Sequence, residues 1–186
     1  MLIGSNGTGK TTTLRQIDSI FNNGSWEKIT DNNKVEKQYA CYHYDNTKEQ
    51  RYAKQSWLNS NQTNRLAICF SNSEGQDMWD FLYYKMADIG KAVRKAKADN
   101  LKGIFILFDA LDSGLSVDYL KDIRQKVLEY IVQEENKQDS TFEVYIICTA
   151  NSYEFCNNYN CLDVVTREYT KFTDYKDFEK YFIKNK

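Results

Sequence analysis

The chain has 186 residues, 41% hydrophobic and 27% charged, with a formal net charge of −1. That length and balance suit one globular domain with a core of its own, and the near-neutral charge excludes a protein that grips nucleic acid by a global positive excess. The longest purely apolar run, Ile104 to Phe108, is far below the ~20 residues that cross a bilayer, so no membrane insertion is expected.

No basic-then-apolar leader precedes the first motif, so a secretion signal is not expected and a cytosolic location is. Cys41, Cys69, Cys148, Cys156 and Cys161 are an odd number with no C-x-x-C pair, and His43 is the sole imidazole. The thiols read as buried or incidental in a reducing compartment rather than as a metal centre.

The chain opens on a strand end, Met1-Leu2-Ile3, and runs into Gly4-Ser5-Asn6-Gly7-Thr8-Gly9-Lys10-Thr11. This matches G-x-x-x-x-G-K-[ST] in full. In such a loop the glycines let successive backbone N–H groups curl around a phosphate. The lysine brings a mobile charge to the β- and γ-phosphates, and the hydroxyl residue can ligate Mg²⁺. Ser5, Asn6, Gly7, Thr8, Gly9, Lys10, Thr11 and Thr12 are therefore the candidate nucleotide-binding residues, with ATP and Mg²⁺ as the expected cofactors. A helix over 10–21 follows, with Leu14, Ile17 and Phe21 on one face, and its N-terminal partial charge favours the same anion.

Residues 22–37 are polar and rich in Asn and Gly, so they read as a loop, and 38–44 reads as a strand. Residues 45–65 are polar, with a short helix expected around 53–58, and 66–70 is a short apolar run. After Ser71 to Gln76 a long helix is expected, because Met78, Leu82, Met86, Ile89, Val93 and Ala96 recur at three and four. Its basic run, Lys91 to Lys97, reads as a solvated face.

Beyond Asp99, Asn100 and Gly103, the apolar run at 104–108 has the pattern of a strand buried on both faces of a parallel sheet. It delivers Asp109 to the carboxyl end of that strand, where a carboxylate can hold magnesium through water. The next residue is Ala110. Many ATPases place a glutamate there to orient the attacking water, and Asp112, two residues on, is expected to point in a different direction.

Ser116 is placed to N-cap a helix with Leu120, Ile123, Val127 and Ile131 as its stripe. A second buried strand is expected at 144–148, short strands at 162–165 and 169–172, and a last helix from Asp174. The tail interleaves Tyr169, Phe172, Tyr175, Phe178, Tyr181 and Phe182 with lysines, a pattern that could stack on nucleic-acid bases, but the favoured reading is a terminal helix that packs Phe178, Tyr181 and Phe182 on the sheet while its lysines face water. Strands alternating with helices predict a doubly wound, mainly parallel α/β sheet in a single domain spanning 1–186.

The order of motifs resembles that of ABC-type P-loop ATPase domains, in particular the soluble branch with the RecF, SMC and double-strand-break-repair ATPases, and small ATPases of phages and bacteria called AAA-family or ABC-type. The likeness runs from Gly4 to the tail strands. It implies that Ser73-Glu74-Gly75-Gln76 is the signature loop that reaches across an ATP-sandwiched homodimer: the Ser73 hydroxyl, the Gly75 N–H and the helix dipole would face the partner's γ-phosphate, with Gln76 beside them. Glu74 stands where the family has a glycine. Ala110-Leu111-Asp112-Ser113-Gly114 would link the two sites, and Asn151 would take the place of the switch histidine, able to hydrogen-bond but not to titrate. The segment His43 to Asn46 could approach the loop where the family keeps a metal-linked glutamine.

By that likeness Lys10, Asp109 and Asn151 are the candidate catalytic residues, and Thr11 and Asp109 the metal ligands. The family has strands before the phosphate loop, one with an aromatic that stacks on adenine. Only Met1-Leu2-Ile3 precede Gly4 here, so that wall is missing and a shortened frame or fragment is expected. There is no room for a long coiled-coil arm. The expected activity is hydrolysis of ATP to ADP and phosphate, coupled to a process the sequence does not name, DNA-related or otherwise, with an unidentified protein partner. The alternative is a nucleotide-dependent dimerisation module with little hydrolysis, argued from Ala110. A small-molecule kinase would need an arginine-rich lid, and no segment reads as one.

Overall fold

In a computed structural model describing residues 1–22, 38–46, 48, 59, 74–113, 115–138 and 141–184, the chain opens with strand β1 (Leu2–Ile3) and helix α1 (Lys10–Asn22). Strand β2 (Tyr39–Asp45), helix α2 (Glu74–Ala98) and strand β3 (Gly103–Asp109) follow. Helix α3 (Val117–Ile123) continues through a π-helical stretch (Arg124–Glu129) into α4 (Tyr130–Gln138). Strand β4 (Glu143–Cys148), the short helix α5 (Tyr153–Cys156), strands β5 (Cys161–Asp163) and β6 (Tyr169–Thr170), and helix α6 (Tyr175–Lys184) complete it. The helix expected at 53–58 and the apolar run at 66–70 lie outside the described residues.

Local chemistry explains most of these boundaries. Helix α2 buries Leu82, Ile89, Val93 and Ala96 as the spacing predicts, while Lys91, Arg94 and Lys95 stay in water. It stops because Asn100 adopts a left-handed conformation (φ 54°). The Leu101 N–H then donates to the Ala96 carbonyl and the Asn100 N–H to Lys97, both at 3.0 Å, which is the Schellman closure that satisfies a helix's last carbonyls. At α3 the expected cap is only partly realised. Ser116 holds the N-cap position without a side-chain cap bond, and its carbonyl accepts from Leu120 instead. The predicted stripe, Leu120, Ile123, Val127 and Ile131, is buried throughout. A straight α-helix was expected across it, and the π-helical stretch is the departure. Arg124 and Glu129 pair at 3.2 Å there, and a turn built on i→i+5 bonds is the geometry that brings residues five apart together.

The fold is α/β with a mostly parallel sheet. β2, β3 and β4 form one parallel ladder, with Asp45 opposite Asp109 and Phe108 opposite Cys148. β1 pairs in parallel with β5, and β6 pairs antiparallel to β5. The two ladders meet at a parallel bridge between Leu2 and Thr149, where Thr149 N–H donates to Phe108 and Ala150 N–H to Leu2. Read across the molecule, the strand order is β2-β3-β4-β1-β5-β6. The strand that ends in Asp109 is therefore not next to β1, because β4 runs between them.

Each strand presents alternate residues to the two faces. Tyr44, Ile104, Ile106, Phe108 and Cys148 face the larger core, with α2, α3, α4 and α6. Leu107 on the opposite face packs with Leu2 and with Leu14 of α1. Phe178 of α6 is buried, and Tyr181 and Phe182 pack against the same core, as the tail's pattern predicts. From β1 the chain crosses to β2, and from β4 it crosses the other way to β5. Connections leaving in opposite directions open a crevice at the carboxyl ends of those strands, and β1 ends there in Gly4.

Gly103 shows how tightly the strands meet. A methyl group at that position would lie 2.2 Å from the backbone oxygen of Glu143 on β4. We expect Gly103→Ala to destabilise the fold by about 1–3 kcal/mol, the usual range for overpacking. Urea unfolding of the purified variant checks this.

Candidate functional site

Five strands bring their carboxyl ends to one edge: Asp45, Asp109, Cys148 with Thr149 after it, Ile3 with Gly4 after it, and Asp163. The loop from Gly4 to Gly9 sits at that edge. Gly4, Gly7 and Gly9 have φ of 144°, 84° and 99°, values that side-chain-bearing residues rarely adopt. At Gly4 space is also limiting, since a methyl group there would sit 2.5 Å from Thr8 Oγ1. Thr8 closes the turn by donating its hydroxyl to the Ser5 carbonyl at 2.8 Å.

Lys10, the first residue of α1, is buried. Its ammonium donates to the carbonyl oxygens of Gly4 at 2.7 Å and Ser5 at 3.2 Å. Burial pulls its pKa below the ordinary lysine value, opposed by the carboxylates of Asp112 and Asp109. The direct partners of the ammonium are neutral carbonyls, which a phosphate oxygen at the loop could replace.

Thr11, one residue further, donates its hydroxyl to Asp109 Oδ1 at 3.2 Å. The Thr149 hydroxyl donates to the same oxygen at 2.8 Å, and its own oxygen accepts the Ala110 N–H at 2.8 Å. Asp109 is buried, so the carboxylate is held by two hydroxyls from strands and helices far apart in the chain. A cluster of hard oxygen atoms, one of them a carboxylate, suits Mg²⁺. Asp45, the cross-strand neighbour of Asp109, is committed differently. It pairs with Arg15 at 3.4 Å and Lys48 at 3.5 Å.

The segment after Asp109 is fixed from both sides. Ala110 has φ 57°, uncommon for a residue with a Cβ. Its N–H is taken by Thr149, and its carbonyl accepts from Asn46 Nδ2 at 3.1 Å. Asn46 is buried and accepts in turn from the Tyr44 hydroxyl at 3.0 Å. This turn directs Asp112 at the start of the β4–α5 connection. Its carboxylate accepts the backbone N–H of Asn151 and of Ser152, the latter at 3.0 Å, together with Asn151 Nδ2 at 3.3 Å.

The structure thus brings together the Gly4–Thr11 loop, Asp109, Asp112 and Asn151. The side-chain amide of Asn151 is engaged by Asp112, and the residue is exposed. Gly75 and Gln76 lie in the first turn of α2, while Ser73 and Gly114 lie outside the described residues. His43 stands in β2 with Nδ1 3.6 Å from Asp18 of α1. Of the segment His43 to Asn46, the part that reaches the Ala110 turn is Asn46. Sequence reasoning missed Thr149, because a threonine after a strand belongs to no motif. The available signal was its place just after the strand expected at 144–148, which is less buried than its pattern predicts, with Tyr145 exposed. No protein-family model, curated protein or solved structure matches this chain.

Asp112 is the acceptor for two backbone N–H groups, so removing it strands both. We expect Asp112→Ala to cost about 2–3 kcal/mol, and Asp112→Asn, which keeps one acceptor oxygen, to cost less. Comparison of their urea midpoints tests the difference.

Proposed function

We propose that this chain binds ATP with Mg²⁺ at the Gly4–Thr11 loop and hydrolyses its β–γ phosphoanhydride bond slowly. The observation that carries this reading is the contact between Thr11 and Asp109, 98 positions apart, on the flank of a glycine loop whose lysine is buried. Phosphate-binding chemistry requires that triad of loop, lysine and acidic strand end in one place.

Lys10 would exchange the carbonyls of Gly4 and Ser5 for phosphate oxygens and stabilise charge as the terminal phosphoryl leaves. Thr11 and Asp109 are the residues that would hold Mg²⁺, which neutralises charge on the β- and γ-oxygens. Thr149 would keep the Asp109 carboxylate aimed at that point. Water adds to the γ-phosphorus, the bond to the bridging oxygen breaks, and ADP and phosphate result. Ala110 offers no group to orient that water. Slow turnover is the consequence, because charge stabilisation remains while water positioning is lost.

The dimeric arrangement implied by the family likeness has support from the length of α2. Its 25 residues extend roughly 37 Å at 1.5 Å per residue. β3, with seven residues, spans roughly 23 Å. The C-terminal end of α2 is tied to the start of β3 by the Asn100 cap. The helix is therefore longer than the strand it follows back, and its first turn, with Gly75 and Gln76, is the part that would serve a second subunit's nucleotide. The second reading, an ATP-gated dimerisation module, is favoured by the Ala110 methyl group alone. An ATPase of the ABC type, acting as an ATP-sandwiched homodimer, remains our reading of the family.

Phosphate release by the purified chain tests the proposal. We expect a slow Mg²⁺-dependent rate that Lys10→Ala abolishes and that Ala110→Glu raises at least tenfold. Binding of ATP with no release from either the wild type or Ala110→Glu would select the dimerisation reading instead.

A further inference from the structure

The turn between β5 and β6 lies against the mouth of the loop. The Val164 N–H donates to Ile3 at 3.2 Å, extending the β1–β5 ladder by one residue, and Val164 Cγ2 would lie 3.3 Å from a methyl group on Gly4. Asp163 fixes this turn. Its Oδ1 accepts the N–H groups of Val165 at 2.7 Å and Thr166 at 3.1 Å, its carbonyl accepts from Arg167 at 2.9 Å, and its Oδ2 accepts from the Tyr181 hydroxyl of α6. These bonds fix the position of the turn.

What it presents is apolar. Val165 is 63% exposed, and Tyr169, the first residue of β6, is 76% exposed. Tyr169 is the cross-strand partner of Leu162, so the two side chains share a face. Leu162 packs with Val164, Leu2 and Leu14 on the α1 side of the sheet. Tyr169 therefore stands on the α1 side, at the strand end nearest the loop. Two strands away from β1 is roughly 10 Å, within reach of a nucleoside whose β-phosphate lies in the loop.

The direction of the nucleotide follows from the sheet. Thr11 and Asp109 mark where the β- and γ-phosphates and their metal would lie, on the β3 side of β1. A triphosphate anchored there sends its α-phosphate and sugar the other way, towards β5. We propose that Val165 and Tyr169 form the wall on which the purine base of the bound nucleotide stacks. This rests on the ATP-binding reading and deepens it.

The test compares binding of Mg-ATP and of magnesium tripolyphosphate, which has the phosphates and no base, by titration calorimetry on the full chain. Tyr169→Ser and Val165→Asp alter exposed positions. We expect each to weaken ATP about tenfold, in line with the loss of one base–aromatic stack, to leave tripolyphosphate unchanged, and Tyr169→Trp to retain wild-type ATP affinity. Equal affinity of the wild type for both ligands, or unchanged ATP affinity in both variants, would overturn the wall while leaving the phosphate site standing. Equal weakening of both ligands would overturn it too, as a disturbance of the loop. Binding of neither ligand by the wild type would overturn the phosphate site and the wall together.

Discussion

A buried carboxylate must be matched by donors or it costs several kcal/mol, and the site is organised around one. Asp109 takes a hydroxyl from Thr11 at the start of α1 and another from Thr149 at the end of β4. Those two bonds join the glycine loop to two strands that the chain reaches about 100 and 140 residues later. Thr149 is also the residue that bridges to Leu2. The contact that satisfies Asp109 is thus part of the contact that holds β1, only two residues long, in the sheet.

Rigidity spreads outward from that joint. Thr149 pins the Ala110 N–H, Asn46 pins its carbonyl, and the left-handed turn so formed sends Asp112 to the backbone of Asn151 and Ser152. The loop beside Asp109 and the connection after β4 are therefore one hydrogen-bonded unit. Lys10 is buried, with the carbonyls of Gly4 and Ser5 as its direct partners and the carboxylates of Asp112 and Asp109 opposing the effect of burial on its pKa. Such a cation is poorly placed for stability and well placed to receive an anion, a familiar exchange of stability for function.

Much of this was legible in the sequence, for identifiable reasons. The loop is a spacing motif, so Gly4 to Thr11 could be read directly. Ile104 to Phe108 and the α2 stripe are long, strongly patterned segments, and Ile104, Ile106, Leu107, Phe108, Leu82, Ile89, Val93 and Ala96 are buried as the pattern predicts, with Phe105 and Met86 partly so. Strand order was not legible, because a two-residue strand has no period and nothing local says that β4 separates β1 from β3. The role of Asp112 was hidden because its direction depends on the φ of Ala110, which an alanine does not advertise. Ser116 shows the opposite limit: its position as a cap could be read, but its hydroxyl makes no cap bond. Within the aromatic tail, Phe178 is buried as expected, while no pattern distinguishes Tyr169, which is exposed at the start of β6.

The central claim is that a nucleoside triphosphate occupies the Gly4–Thr11 loop with its metal between Thr11 and Asp109. Backbone hydrogen exchange of the chain with and without Mg-ATP addresses it most directly, because it reports where a ligand sits as well as whether it binds. The account predicts that protection on adding Mg-ATP concentrates in residues 4–12, with a smaller effect at 109–113, and that both disappear when magnesium is chelated. Protection elsewhere that leaves 4–12 unchanged, or none at saturating Mg-ATP, would contradict it.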